Sequence, residues 1–203
     1  MKVQYAGRDL YHEGNIDLLY HSRKVAVIGS RNASEAQRRY ACDLSQELAA
    51  NDCVVISGMA NGIDRSAHVG AMYAAGRGNP MNTIAVMPCA VDELTPLSNF
   101  DIWTEVKEHG LVVSEFASGN KVTKSNFVLR NKTIAKISDV VIVVVAEEDS
   151  GTRHVVSEMV RLGIQDRVFA GIFLVGNEPT WLSDKKILLD VKQVYDLLDK
   201  DKR

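Results

Sequence analysis

The sequence predicts an α/β fold: a doubly wound, mostly parallel sheet with helices on both faces. Three observations carry this. Short apolar runs rich in β-branched residues recur along the 203-residue chain. The runs are nearly continuously apolar rather than alternating, as in strands buried on both faces. Segments with helical spacing separate them, which implies right-handed βαβ units.

The strands are expected at KVAVIG (24–29), CVVIS (53–57), TIAVM (83–87), LVVSE (111–115), DVVIVVV (139–145) and VFAGIFLV (168–175). The first helix spans Ser34 to Asn51: Ser34 is a good N-cap, and Tyr40, Leu44 and Leu48 recur at helical spacing. Further helices are expected over Ile63 to Ala75, Phe100 to His109, Lys124 to Ile137 and Thr152 to Leu162. From residue 184, the tail carries Ile187, Leu188, Val191, Val194, Leu197 and Leu198 on one helical stripe. It reads as an amphipathic helix packed on the body, with a dimer contact as the alternative. The expected organisation is therefore a lead segment over 1–23, a Rossmann-like domain over 24–183 and a helix over 184–203.

Hydrophobic residues make up 46% and charged residues 25% of the chain, as in an ordinary globular domain. No apolar run approaches the ~20 residues that span a bilayer, and the first 15 residues lack a signal-peptide core. A cytoplasmic protein with no membrane contact is expected. Cys42, Cys53 and Cys89 show no CxxC spacing, which argues against a disulfide framework or a zinc site. Cys89 alone falls in a predicted loop, where a nucleophile is weighed against a small core residue. No cofactor and no metal are expected.

The net charge of −2 disfavours a chain that coats nucleic acid through overall charge. Its distribution is more informative. Between Gly119 and Lys136 stand five basic residues (Lys121, Lys124, Arg130, Lys132 and Lys136) and no acidic one. Phe127 lies among them, and an aromatic ring amid cations suits single-stranded nucleic acid, with the base stacked and the backbone neutralised.

In such a fold, ligands sit at the carboxyl ends of the strands, near the switch in strand order. The first loop there offers Gly29, Ser30, Arg31, Asn32 and Ser34. It lacks GxGxxG, so a dinucleotide is not supported. The helix after it offers free N–H groups, and Arg31 can grip a phosphate bidentately. The second loop, SGMANGIDRSAH (57–68), supplies Gly58 and Gly62 for close backbone approach and Asn61 and Arg65 for phosphate contact. Asp64 and His68 share a helix face; a structural Asp–His hydrogen bond is expected there, not a metal site. The loop after the fifth strand places Ser150, Gly151 and Thr152 at a helix start, a second anion-binding terminus. His154 and Glu158 lie four apart but lack a third catalytic partner.

These stretches, in this order, resemble the DNA-processing protein A family, also called DprA or Smf. The resemblance starts at LYHEGNIDLL (10–19) and runs through VAVIGSRNAS, SGMANGIDRSAH, IAVMPCAVDELTP, GLVVSEF, NFVLRNKTIAKISD and VVIVVVAEEDSGT, covering residues 10 to 163. It implies an extended Rossmann-like fold, homodimers, binding of single-stranded DNA and help in loading a strand-exchange recombinase. By matching motif, it implies DNA contacts at Ser30, Arg31, Asn61, Phe127, Arg130, Asn131 and Lys132. The competing expectation is a nucleotide sensor or a phosphoribohydrolase-like enzyme of the same superfamily. The phosphoribohydrolase signature PGGxGTxxE is absent; EDSGTRHVV keeps only its Gly-Thr pair.

Overall fold

The computed structural model describes residues 1–174 and 178–200. In chain order it forms β1 (Lys2–Tyr5), β2 (Arg8–Gly14), β3 (Lys24–Ile28), α1 (Glu35–Ala50), β4 (Val54–Ser57), α2 (Ile63–Ala75), β5 (Thr83–Met87), α3 (Phe100–His109), β6 (Leu111–Ser114), α4 (Lys124–Ile137), β7 (Val140–Val143), α5 (Arg153–Arg161), β8 (Val168–Ala170), β9 (Lys186–Ile187) and α6 (Lys192–Lys200). One nine-stranded sheet results, in the order β1-β2-β6-β5-β4-β3-β7-β8-β9. The seven strands from β6 to β9 pair in parallel.

The chain winds outward from β3 through β4, β5 and β6, then crosses back to lay β7 on the other side of β3. The switch in strand order therefore lies between β3 and β7, and the loops leaving their carboxyl ends diverge there. Both sheet faces are covered. Ala26, Ile28, Ile56 and Ile84 pack with Ile134 and Val155, from α4 and α5, on one side. Val25, Val27 and Val55 meet Leu44, Leu48 and Ala67, from α1 and α2, on the other. Met87 and Val112 extend that second face against Ile102 and Trp103 of α3. Each fully buried aliphatic side chain contributes about 1.5–3 kcal/mol relative to exposure, so the central strands form a firm floor beneath the loops. No described helix is long and apolar enough to cross a membrane.

Three segments depart from expectation. The lead segment folds as two strands: β2 pairs antiparallel with β6, with Tyr11 opposite Ser114. Ala6 and Gly7 join β1 to β2 with φ of 49° and 71°, as a two-residue I′ hairpin requires. VFAGIFLV is a strand only over Val168–Ala170, with a 3-10 turn at Ile172–Leu174; its last residue lies outside the described ones. Gly171, just after β8, still donates its N–H to the Val143 carbonyl at 2.7 Å and lies so close to β7's end that a Cβ would stand 2.6 Å from the Val144 carbonyl. The helix expected from residue 184 begins only at Lys192. Lys186–Ile187 instead pair with β8 as an edge strand, and Asp190 caps the helix by accepting from the Lys192 N–H at 2.8 Å. Val194 and Leu198 of α6 then bury against the α1–α2 side of the core.

Candidate nucleic-acid interface

A cleft of about 480 Å³ opens at the switch point. Its walls are the loop after β3, the loop after β7 and the first turns of α4. Ser30, Arg31, Lys124, Phe127, Arg130 and Asn131 line it, together with Ser150, Gly151 and Thr152. The structure thus gathers most of the expected residues, which come from three separate stretches of sequence. Three others fall elsewhere. Asn61 and Gly62 line a second groove beyond Arg31. Lys132 lines neither; it turns toward α5, where its charge acts on His154 and Glu158. Helical phase explains this, since successive residues are about 100° apart and Lys132 sits one step round from Asn131.

The mouth of the cleft combines charge with an aromatic face. Arg31 is exposed, and its guanidinium carbon sits 5.1 Å from the centroid of the half-buried Phe127 ring. That cation–π contact holds the long Arg31 side chain over the opening. Lys124 lies beside it, exposed. Neither cation has a carboxylate partner among the described residues.

The back of the cleft is different. Arg130 is 4% exposed, and its Nη1 donates to Asp64 Oδ2 at 3.3 Å. Burial pushes its guanidinium downward, Asp64 opposes that, and Arg31 adds a smaller downward push. Its Nε has no partner. The guanidinium lies against Gly58, where a Cβ would come within 1.0 Å of Nη1. Glycine at 58 is therefore the condition for Arg130 to reach Asp64. Gly62 is similarly fixed by its φ of 76° and by the Ser30 carbonyl, 2.4 Å from where a Cβ would stand.

The expected Asp64–His68 hydrogen bond does not form, because Asp64 serves Arg130. His68 instead bonds Thr83 Oγ1 through Nδ1 at 2.8 Å. The Thr83 hydroxyl donates to the Val55 carbonyl, so His68 Nδ1 carries the proton given to Thr83. Burial above all, with the nearby Arg130 charge, pushes the His68 pKa down to about 3.

The two helix starts are less open than the sequence suggests. At α1, Ser34 and Gln37 cap each other: Gln37 N–H donates to Ser34 Oγ and Ser34 N–H to Gln37 Oε1. At α5, the N–H groups of Thr152, Arg153 and His154 go to Ser150 Oγ, the Ser150 carbonyl and the Gly151 carbonyl. Ser150 and Thr152 still face the cleft as hydroxyls. Ser30 Oγ donates to Glu147 Oε1 at 2.7 Å, placing a carboxylate in the cleft that the charge count of the basic stretch did not register. Asn131 Nδ2 donates to the Gly151 carbonyl at 2.8 Å and ties α4 to the loop before α5.

Among the catalytic alternatives, Glu158 is held by Arg161 at 2.6 Å and 2.9 Å, leaving His154 without it. Cys89 is buried, its thiol donates to the Glu93 carbonyl, and burial pushes its pKa up to about 11. Burial and the raised pKa both disfavour the thiolate that a nucleophile needs. No cluster of metal-ligating side chains occurs among the described residues.

The model of the DNA recombination-mediator protein A family matches residues 2–173. The chain belongs to that family. It is 31% identical over 143 residues to DNA processing protein DprA from Bacillus subtilis, covering 70% of this chain and 46% of that one. Against the protein of the same name from Streptococcus pneumoniae, the identity is 36% over 143 residues, covering 70% and 48%. The chain thus spans about half the length of these relatives. Its fold superposes on DNA processing protein A from Helicobacter pylori with a TM-score of 0.81 at 24% identity, covering 99% of this chain and 96% of that one. The family match includes the whole lead hairpin, β1 and β2, which the motif-by-motif resemblance entered only at residue 10.

Proposed function

We propose that this chain binds single-stranded DNA in the cytoplasm, making and breaking no bond, and serves DNA uptake and recombination. The observation that carries the reading is the mouth of the switch-point cleft. Arg31 and Phe127 stack there beside Lys124, leaving two uncompensated cations and an aromatic face at one opening. Cations hold a sugar–phosphate backbone, and an aromatic face accepts any base. The Helicobacter pylori relative of the same fold is known for its single-stranded DNA binding mode, which supports the same role here. Arg31, Lys124 and Phe127 are the direct contacts. Ser30, Asn131, Ser150 and Thr152 shape the walls, and Arg130 braces the back. Homodimer formation and recombinase contact belong to the same reading.

The test is fluorescence anisotropy with a labelled single-stranded oligonucleotide at two salt concentrations, with duplex as competitor. Binding is expected to weaken steeply with salt and to resist the duplex. An affinity indifferent to salt, or undetectable at low salt, overturns the proposal. Release of free base from nucleoside monophosphates would point instead to a nucleotide-processing enzyme.

A further inference from the structure

Beyond Arg31 lies a second groove, also of about 480 Å³, between the starts of α1 and α2. Arg31 belongs to both openings. Arg38, Asn61, Arg65, Ser66, Ser98 and Asn99 supply the rest of its polar lining, and no carboxylate lines it. Asp101, next to it on α3, pairs with Arg65 at 2.5 Å. Arg38 donates to the Ala33 carbonyl at 2.9 Å and has no carboxylate partner among the described residues. Asn61 is exposed and accepts from the Ser98 hydroxyl, and its amide N–H groups donate to none of the described residues. Phe100 follows the groove-lining Asn99 and is 61% exposed, beside Leu97 at 77%. A large exposed aromatic thus follows directly on the groove's lining, its ring tilted against Trp103 at 6.0 Å.

We infer that the α1–α2 groove is a second phosphodiester subsite, into which a bound strand continues after passing Arg31. This rests on the single-strand reading of the first cleft. Arg31, shared by the two openings, is the hinge of the path; Arg38 and Arg65 take the next phosphates, and Phe100 offers a base its face. The two subsites are joined through one backbone, so a short strand fills the first cleft alone while a longer one fills both.

The closing experiment compares oligothymidylates of about four and about twelve nucleotides, within the usual span of single-strand sites. Arg38→Ala and Arg65→Gln are each expected to weaken the long strand about tenfold, as for loss of a charge-assisted contact. Each should leave the short strand unchanged and lower the log–log salt slope for the long strand by about 0.7. Asn61→Asp, an exposed change that adds a negative charge to the groove, should act in the same direction without touching either arginine. An independent readout is Cys42, partly exposed in the groove and the only described cysteine that is not buried. Its alkylation at mildly alkaline pH should slow with the long strand and not with the short one. If all three variants bind both lengths like the parent and Cys42 labels at the same rate, the second subsite is wrong although the first stands. If the parent chain binds neither length, both proposals fall.

Discussion

The mouth and the back of the cleft each hold an arginine, Arg31 and Arg130, and the two are put to opposite uses. Arg31 is exposed, stacked on Phe127 and without a carboxylate partner among the described residues; Arg130 is buried, laid on Gly58 and committed to Asp64. A charge in water close to a surface attracts a polyanion at long range and is screened by salt. A charge removed from water costs several kcal/mol unless paired, and once paired it has little left to offer a ligand. On the proposed reading, the mouth is where affinity for a backbone is generated, and the back is where the cleft keeps its shape. Counting basic residues along a sequence treats these two as equal; burial separates them.

The sharpest way to break the comparison is at the back. Asp64→Ala strands the Arg130 charge in the interior and is expected to cost about 3–5 kcal/mol, read as a lowered urea midpoint with unchanged slope. If Asp64→Ala unfolds like the parent, Arg130 is not buried as described. At the mouth, Phe127→Ala removes the stacking face, and single-strand affinity should fall by about 1–3 kcal/mol per base lost. Its effect on the urea midpoint should be smaller than that of Asp64→Ala. Equal loss in binding and stability would mean that Phe127 is core.

A third prediction concerns pH. His68 has its folded pKa pushed below its ordinary value of 6.5, to about 3. The unfolded chain therefore takes up the proton first, and stability falls as pH drops below about 6.5 and goes on falling toward 3. Well inside that window, the fall should approach about 1.4 kcal/mol for each pH unit. Calorimetry from neutral to mildly acid pH should show it, and His68→Asn should flatten the fall. A pH profile identical in the two chains would refute the buried neutral imidazole. The smallest effect belongs to Lys124→Ala, which should lower the salt slope of binding by about 0.7 and leave the unfolding midpoint in place.

Much of this was legible in the chain itself, for a physical reason. Strands such as Val54–Ser57 and Val140–Val143 are buried on both faces, so every residue reports the same environment and the apolar run is plain. The cleft residues were legible because the ends of strands in such a sheet face one side. Other features had no local signature. The lead hairpin carries Lys2 on the edge strand β1 and Arg8, Asp9 and Glu13 on β2, charges that break up any apolar run, and it turns on Ala6–Gly7, a weak turn signal. Asp64 and Arg130 are 66 residues apart, and nothing in either neighbourhood announces the other. Glu147 enters the cleft from outside the acid-free stretch, so no count within that stretch could include it. Lys132 is the exception: its helical phase relative to Phe127 and Asn131 was available and points away from the opening.

The strand ladder does not stop where the cleft begins. Val144 N–H donates to the Ile28 carbonyl at 3.0 Å, and Ser30 N–H donates to the Val145 carbonyl at 2.8 Å, stitching the two diverging loops together beyond their strands. Asn131, clasping Gly151 on the third side, completes this set of ties around the cleft. If a strand docks there as proposed, loops tied in this way leave most of the ordering cost to the incoming polymer.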